Sequence, residues 1–472
     1  MGRAGIKGGA VKRQRIGQSM ALAGIVLIGG GFSPATAQED APGGTTLTFG
    51  IETSLSVSDN YNLSLVKPGT STILDTTLSF GYLSETAIDR FAFDIDGVVR
   101  AADIPGTGVG AGSDVRFDDL NAGLSYTREG ANSRLSATAS YNRVNLDFLD
   151  PFERADLDED GLITGSGTRI SGTARLIFET GTSGPLGFGI ELGTEVIEYS
   201  DTTDPGLFDS QTDDIALTSR LRLSPVAEAR VRLSQENFDN DDVISADRTT
   251  RALSFGVGYE IDPVTTLDVS IGVSRIDAAT AGTSDGAIGT LTLTRALTNG
   301  SAGVLLDRSF GIEGGRTTLS ANRSMDLPSG TLAYSLGLTR GELGDTEVIG
   351  SLAYSQTLPR GALTASLDRS VDSTGAGNDE LTTSANLGYT MALSPLANLS
   401  LELDYVAVDD AGSGVVSGTD RSALRAEYTR ELTPDWDMSA GYEYQRESTD
   451  GSGTANSNTV FLTLGRDFSI RR

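Results

Sequence analysis

Apolar and polar residues alternate along the chain from Thr45 to its C-terminal region. In one run, Leu186, Phe188 and Ile190 alternate with glycine and glutamate, and the run 460–464 near the end follows the same rule. A period of two over nine or more residues is typical of β-strands with one apolar and one polar face. The sequence therefore predicts an all-β protein.

The segments between these runs alternate in length. Short ones carry turn-forming pairs such as Asp262-Pro263 and Asn299-Gly300. Longer polar connectors are expected at 102–114, 146–166, 200–212, 236–249, 409–419 and 447–457. Short turns at one end and long loops at the other indicate an outer-membrane barrel with periplasmic turns and external loops. We predict a transmembrane antiparallel up-and-down β-barrel of about 22 strands, in a range of about 18–24 because runs within 286–371 can be merged or split.

Residues 1–37 differ from the rest of the chain. Five basic residues precede an apolar run from Met20 to Phe32, and Ala35-Thr36-Ala37 follows. A basic head, a short apolar stretch and an A-x-A exit are typical of a cleaved secretory signal peptide. We expect residues 1–37 to be this signal, 38–44 a short tail and 45–472 a single outer-membrane barrel in a Gram-negative bacterium.

The composition narrows the chemistry. Among 472 residues there is no cysteine or histidine, and Asp+Glu is 64 against Lys+Arg 36. These absences exclude Ser-His-Asp hydrolysis, thiolate nucleophiles and Cys- or His-based metal sites. The net charge of −28 disfavours nucleic-acid binding. We therefore expect neither an enzyme nor a nucleic-acid partner.

The low apolar content, 38%, bears on the main alternative, a soluble β-sandwich or β-helix. Such folds need a packed apolar interior, whereas a membrane barrel needs only one apolar face. The barrel is the better fit. Within it, the pairs Asp307-Arg308, Thr339-Arg340 and Asp368-Arg369 recur at hairpin spacing. We interpret this recurrence as duplication of a hairpin.

The segment Val460–Phe468 resembles the C-terminal strand that the barrel-assembly machinery recognises, although four residues follow the terminal aromatic residue. Together with Ser58-Asp59-Asn60 and Leu223-Ser224-Pro225, residues 45–468 resemble the β-barrel porin 2 family of Gram-negative bacteria. The resemblance implies a porin-like outer-membrane channel, with some relatives tied to exopolysaccharide secretion. Its implied partners are outer-membrane lipid, the assembly machinery and a small polar solute or polysaccharide; the oligomeric state stays open.

The strand alternation also predicts which charged residues line the lumen. Because Leu217, Leu221 and Leu233 would face lipid, their charged neighbours would face inward. The predicted basic wall and its carboxylate are Arg175, Arg220, Arg222, Glu228, Arg230 and Arg232, and the predicted acidic positions are Asp94, Asp96, Glu191, Glu195, Glu402, Asp404 and Glu443. Opposed basic and acidic walls would create a transverse field in a water-filled pore. The alternative is ordinary solvated faces with weak cross-strand pairs.

One short motif suggests a metal ion. Asp156, Asp158 and Asp160 precede Gly161 with the spacing of an EF-hand loop, but Gly167 stands where the bidentate glutamate belongs. A structural Ca²⁺ ion in an external loop is one hypothesis, and a solvated acidic loop is the other. No other cofactor is expected.

Two functions remain open from the sequence. The first is a porin-like channel for polar solutes or secreted polysaccharide, and the second is a non-conducting structural or adhesive barrel whose external loops bind a partner. A TonB-dependent transporter also has a barrel of about 22 strands, but it carries a plug domain. Because the strands begin by residue 45, we expect no plug.

Overall fold

The computed structural model describes residues 43–106, 112–148, 166–202, 207–241, 247–279, 282–342, 346–373, 379–410 and 418–471. These residues form 22 antiparallel strands in one closed sheet, which confirms the predicted fold and strand number. Apart from the strands they contain a 3₁₀ turn at Leu146–Phe148. No helix in this part of the chain is long and apolar enough to cross a membrane.

The strands follow the chain in order around the barrel. The first eleven are β1 (Gly44–Ser58), β2 (Ser71–Glu85), β3 (Asp89–Ile104), β4 (Gly112–Glu129), β5 (Ser133–Asn145), β6 (Thr168–Thr180), β7 (Leu186–Ser200), β8 (Ser210–Ser224), β9 (Ala227–Asn240), β10 (Arg248–Asp262) and β11 (Thr265–Ala278). The others are β12 (Gly282–Leu297), β13 (Gly300–Gly311), β14 (Gly314–Leu327), β15 (Gly330–Arg340), β16 (Thr346–Leu358), β17 (Gly361–Ser373), β18 (Asp379–Ser394), β19 (Ala397–Asp410), β20 (Thr419–Thr433), β21 (Trp436–Thr449) and β22 (Gly453–Arg471).

The first and last strands close the barrel. β1 pairs with β22 in unbroken register from Thr46 opposite Arg471 to Ser58 opposite Thr459. The last strand therefore runs beyond Phe468, where the resemblance to the porin family ended. Closure leaves neither strand with an unpaired edge, so every strand can satisfy its backbone hydrogen bonds within lipid.

The connections differ in length between the two ends of the barrel. At the end that also holds the start of β1 and the end of β22, the turns are short, as at 225–226 and 263–264. We call this the short-turn end and the opposite one the loop end. The loop end carries longer connections such as 59–70 and 146–167. The long connector predicted at 447–457 is wrong: the polar alternation continues into β21 and β22, which leaves only residues 450–452 between them.

The two faces of the sheet separate apolar from polar side chains. The outward positions carry large apolar residues that are exposed in the isolated chain, such as Leu217, Leu233 and Phe255. The alternate positions carry charged residues whose side chains reach each other across an intervening strand. Side chains converge in this way on the concave face of a curved sheet. The polar face is therefore the inner one, and the apolar face meets lipid.

Candidate functional site: the charged inner wall

The predicted lumen-lining side chains all lie at inward positions of their strands. β6 to β9 place Arg175, Glu191, Glu195, Arg220, Arg222, Glu228, Arg230 and Arg232 there, β3 places Asp94 and Asp96, β19 places Glu402 and Asp404, and β21 places Glu443. Strands β6–β9 and strands β18–β21 occupy roughly opposite sides of the ring. The arrangement brings some of these residues into contact and leaves others apart.

Glu191 is the centre of the contacts on the arginine-rich side. Its carboxylate binds the guanidinium of Arg175 and accepts from Arg232 Nη2 at 2.8 Å. Arg232 reaches it across β8, where the inward position is Ala216, only 1% exposed. A larger side chain at 216 would obstruct this path. Glu195, four residues further along β7, faces Thr212 and takes no part in the Glu191 pairs.

A second bridge crosses β10. Arg230 Nη2 donates to the Asp268 carboxylate at 2.6 Å. The strand between them presents Gly256 and Gly258, so no long side chain stands between the guanidinium and the carboxylate; a Cβ at either position would lie 3.4 Å from the nearer of the two groups. The sequence could have indicated this bridge, because two inward glycines separate an arginine strand from an aspartate strand.

Two other arginines lie nearer the short-turn end. Arg220 is 3.7 Å from Glu228 and donates to the carbonyl oxygens of Gly181 and Thr182 in the β6–β7 turn. Arg222 lies opposite Glu228 in register and is exposed. The arginine-rich side is thus mixed in charge, because Glu191, Asp268 and Glu228 offset much of its positive charge.

The opposite wall keeps an excess of carboxylates. Asn386 Nδ2 donates to Glu402 at 3.0 Å and to Asp404 at 2.7 Å, which holds two carboxylates side by side. Arg425 lies between Glu427 and Glu443, at 3.0 and 3.5 Å. One arginine shared by two carboxylates leaves a net negative charge on this side.

The acidic wall continues past the junction of β22 with β1 onto β3. Asp96 accepts from Asn121 Nδ2 at 2.9 Å, and the Asp94 carboxylate lies over the bare backbone of Gly123. Neither aspartate forms an ion pair with another residue that the structure describes, so both present negative charge to the lumen.

A buried cluster near the loop end was not predicted. Arg100 binds Asp75 at 2.8 Å, Asp119 at 3.1 Å and Asp118 at 3.5 Å, and its side chain is almost fully buried. A β-bulge in β4 lets both Asp118 and Asp119 reach it. The adjacent Asp118-Asp119 pair, which breaks the alternation of β4, is the sequence signal that could have revealed the bulge.

Two loops pack against the inner wall beside this cluster. The centre of the Phe148 ring lies 4.6 Å from the Arg100 guanidinium carbon. The ring also contacts the buried apolar cluster of Ile73, Ala102 and Ile104. Tyr61, from the first loop, packs on the same cluster and donates its hydroxyl to the Phe148 carbonyl at 2.8 Å. The segment 146–148, predicted as the start of a polar connector, is therefore an apolar anchor that fixes two loops to the wall.

The third part of the inner wall is rich in hydroxyl groups. On β12 to β16 many inward positions are serine or threonine, and they bond across strands, as in Thr318 with Thr339 at 2.9 Å and Ser335 with Ser351 at 2.7 Å. This sector offers polar contacts with little charge. The inner wall therefore has a mixed, a neutral and an acidic sector.

The metal hypothesis receives no test from the structure. Asp156, Asp158 and Asp160 lie outside the described residues. Within the described ranges there is no group of three or more His, Cys, Asp or Glu side chains that could hold a metal ion.

Comparison with solved structures places the fold among outer-membrane receptors. The chain is similar to the FrpB iron transporter from Neisseria meningitidis, with TM-score 0.57, 10% identity and coverage of 91% of this chain and 82% of that one. It is also similar to the ferric-catecholate import receptor Fiu from E. coli K12, with TM-score 0.54, 11% identity and coverage of 91% and 82%. The siderophore receptor PirA from Acinetobacter baumannii gives TM-score 0.53, 8% identity and coverage of 91% and 81%.

At these identities the similarity concerns the barrel fold alone. No protein-family model matches the sequence, and no curated protein matches it. The outer-membrane barrel fold is thus shown, whereas membership of the porin 2 family is not.

Proposed function

We propose that the protein is an outer-membrane channel that passes small polar solutes and favours cations. The observation that carries the proposal is the inner wall: a closed 22-strand barrel with apolar residues outside and charged residues inside, whose carboxylates outnumber their arginine partners on the side of Glu402, Asp404 and Glu443. Charge of one sign along a pore wall concentrates counter-ions and lowers their entry barrier.

The proposal includes the route to the membrane. Residues 1–37 would direct export and be removed, and the paired terminal strand β22 would be read by the barrel-assembly machinery. The solved neighbours are named as transporters and receptors for iron, siderophores and catecholates. Their names support passage of a small polar solute, while secreted polysaccharide is the larger cargo that the resemblance to porins suggests.

A second candidate function, a non-conducting barrel whose external loops bind a partner, is favoured by one observation. Tyr61 and Phe148 fix two loops against the inner wall near the mouth. Loops held in this way narrow the entrance and present a defined surface outside. Conductance of the reconstituted protein separates the two functions, because a closed barrel would give no discrete channel steps.

The test combines conductance with ion selectivity. Reconstituted protein should show discrete channels whose reversal potential in a KCl gradient indicates preference for K⁺. In E402Q/D404N/E443Q this preference should fall, because the acidic wall loses three charges. The matched control is D103N/D213N, since Asp103 and Asp213 are exposed carboxylates at outward positions.

The outcomes are distinct. A loss of preference in the wall variant but not in the control supports the proposal. Absence of channels in the parent protein, or equal selectivity in all three proteins, contradicts it. Liposome swelling with sugars of graded size then distinguishes a small-solute pore from one wide enough for an extended polysaccharide.

A further inference from the structure

A row of arginines lies on the outer face, near the loop-side boundary of the apolar band. Between β10 and β17, five strands carry an arginine at the outward position that follows a large apolar residue on the loop side. The apolar and arginine pairs are Leu253 and Arg251, Val273 and Arg275, Leu306 and Arg308, Leu338 and Arg340, and Leu367 and Arg369. Arginine recurs on these five strands near the same boundary of the apolar band, which indicates a common ligand for these side chains.

Three members of the row are the arginines of the hairpin repeat. Arg308 pairs in register with Thr317, which pairs in turn with Arg340 on the next strand. Arg369 follows on β17, one strand beyond β16. We call Arg308, Arg340 and Arg369 the outer arginine row. The repeat thus places positive charge on alternate strands of one continuous surface.

The outer arginine row lacks carboxylate partners among the described residues. Arg308 donates to the Thr317 hydroxyl at 2.8 Å, and Arg369 donates to the Thr383 hydroxyl at 3.0 Å and to the Val348 carbonyl. By contrast, Arg251 and Arg275 on β10 and β11 share Asp277. Among the five arginines of this boundary, those without a carboxylate partner in the described part of the chain are therefore the three on β13, β15 and β17.

An ordinary solvated surface does not explain this placement. Arginine at the depth of the hydrocarbon core is destabilising, and the penalty falls towards zero at the interface. At the interface the groups within reach are lipid headgroups, whose acyl chains would lie along the apolar columns of Leu306, Leu338 and Leu367. Guanidinium groups bind phosphate oxygens through two parallel hydrogen bonds, more strongly than neutral donors do.

We propose that the outer arginine row binds the phosphate groups of an anionic glycolipid in the outer leaflet. Arg308 and Arg340 would bind phosphate from two strands, with the Thr317 hydroxyl between them, and Arg369 would contact a further phosphate or a neighbouring lipid. The site is distinct from the inner wall and does not depend on whether the barrel conducts.

The test is lipid binding by the purified full chain in a neutral detergent. The probe is lipid A with two phosphates, and the comparison probes are dephosphorylated lipid A and inorganic phosphate. Native mass spectrometry counts bound lipid, and titration gives an apparent Kd. We expect R308Q/R340Q to weaken binding of the phosphorylated lipid at least about tenfold, and inorganic phosphate at millimolar concentration not to displace it.

The matched control is R295Q/R430Q. Arg295 and Arg430 are exposed arginines at outward positions near the short-turn end. This variant should bind within about twofold of the parent protein. Equal loss in both variants would indicate unspecific charge attraction, and equal binding of dephosphorylated lipid would show that acyl chains alone suffice; either result overturns the proposal.

Two further outcomes also overturn it. Displacement by inorganic phosphate would indicate a simple anion site, and a dimer that dissociates in R308Q/R340Q would indicate that a second copy covers the row. Circular dichroism checks that the variants keep their strand content. If the double variant fails to fold, R340Q is used alone. The Arg340 side chain makes no hydrogen bond to the described residues, so this substitution breaks no contact that holds the barrel together.

Discussion

The guanidinium carbon of Arg100 lies 4.6 Å from the centre of the Phe148 ring. This contact joins β3 to the connector that follows β5. Because the Tyr61 hydroxyl donates to the Phe148 carbonyl, the same point also holds the first loop. Two loops therefore depend on one aromatic residue for their place against the inner wall.

Removing that residue should release the loops. In F148A the cluster of Ile73, Ala102 and Ile104 loses its aromatic partner, and we expect larger and noisier single-channel conductance. The control is F188A, because Phe188 is an exposed residue of the outer face. Equal conductance in F148A and the parent protein would show that these loops do not restrict the mouth.

Glu191 neutralises two arginines, so its loss should change selectivity more than the loss of a weakly paired carboxylate. In E191Q, Arg175 and Arg232 face the lumen without their shared partner, and the preference for cations should fall. E228Q is the control on the same wall, since Glu228 lies 3.7 Å from Arg220. Reversal potentials in a salt gradient measure both; a larger shift in E228Q would contradict the assignment.

The reverse change should increase cation preference. Replacing Arg220, Arg222, Arg230 and Arg232 by alanine leaves Glu191, Glu228 and Asp268 with fewer counter-charges. Single-channel recording should then show a higher K⁺ to Cl⁻ permeability ratio. Unchanged selectivity would mean that this wall does not border the narrow part of the pore.

The strands could be predicted from the sequence because one rule governs most of them. Alternation of period two identifies a strand and its faces without knowledge of its neighbours, so Leu217 outside and Arg232 inside follow directly. The pairing of Arg232 with Glu191 could not be derived in the same way. It depends on the register of three strands and on the small side chain at Ala216.

The loop end was less predictable for a related reason. The polar composition of 447–457 suggested a loop, but cross-strand pairing continues to Thr449 opposite Gly453. Polar residues near a barrel rim can extend a strand into the aqueous phase, where no apolar face is required. Conversely, Phe148 lies in a segment whose polar composition predicted a connector. A single apolar anchor residue gives no periodic signal, so its role could not be recognised from the sequence.

Acid should weaken the hydrogen bonds that Asp59, which follows β1, accepts from Asn458 of β22 and from Lys67. Partial burial raises the pKa of Asp59, but hydrogen bonds from Lys67 at 2.7 Å and from Asn458 outweigh it and lower the pKa below its ordinary value. A lowered pKa in the folded state means that the stabilisation is present above the unfolded pKa of about 3.9 and is lost as pH falls through the folded value.

D59N should therefore reduce stability at neutral pH by a small amount, because the Lys67 pair is solvent-exposed. The difference from the parent protein should shrink as pH falls below about 4. Unfolding midpoints in urea across this pH range measure it, and K67Q serves as the control that removes only one of the partners. A difference independent of pH would show that Asp59 acts through its shape and not its charge.

The bare backbone at Gly441 is required by the aromatic side chain beside it. A Cβ atom there would lie 2.4 Å from Phe461 Cζ and 2.6 Å from the Ala426 carbonyl oxygen. Phe461 is a buried inward residue whose ring lies 4.3 Å from the Arg425 guanidinium. G441A should therefore displace the ring and destabilise the barrel by about 1–3 kcal/mol.

The matched control for this substitution is G258A. At Gly258 the nearest atom to an added Cβ is an Asp268 carboxylate oxygen at 3.4 Å, so the change should be nearly neutral. Urea unfolding in lipid vesicles measures both, and G441A/F461A should recover part of the loss because the ring is gone. If G441A and G258A have equal midpoints, the Phe461 ring can move without cost and its packing against Gly441 does not stabilise the wall.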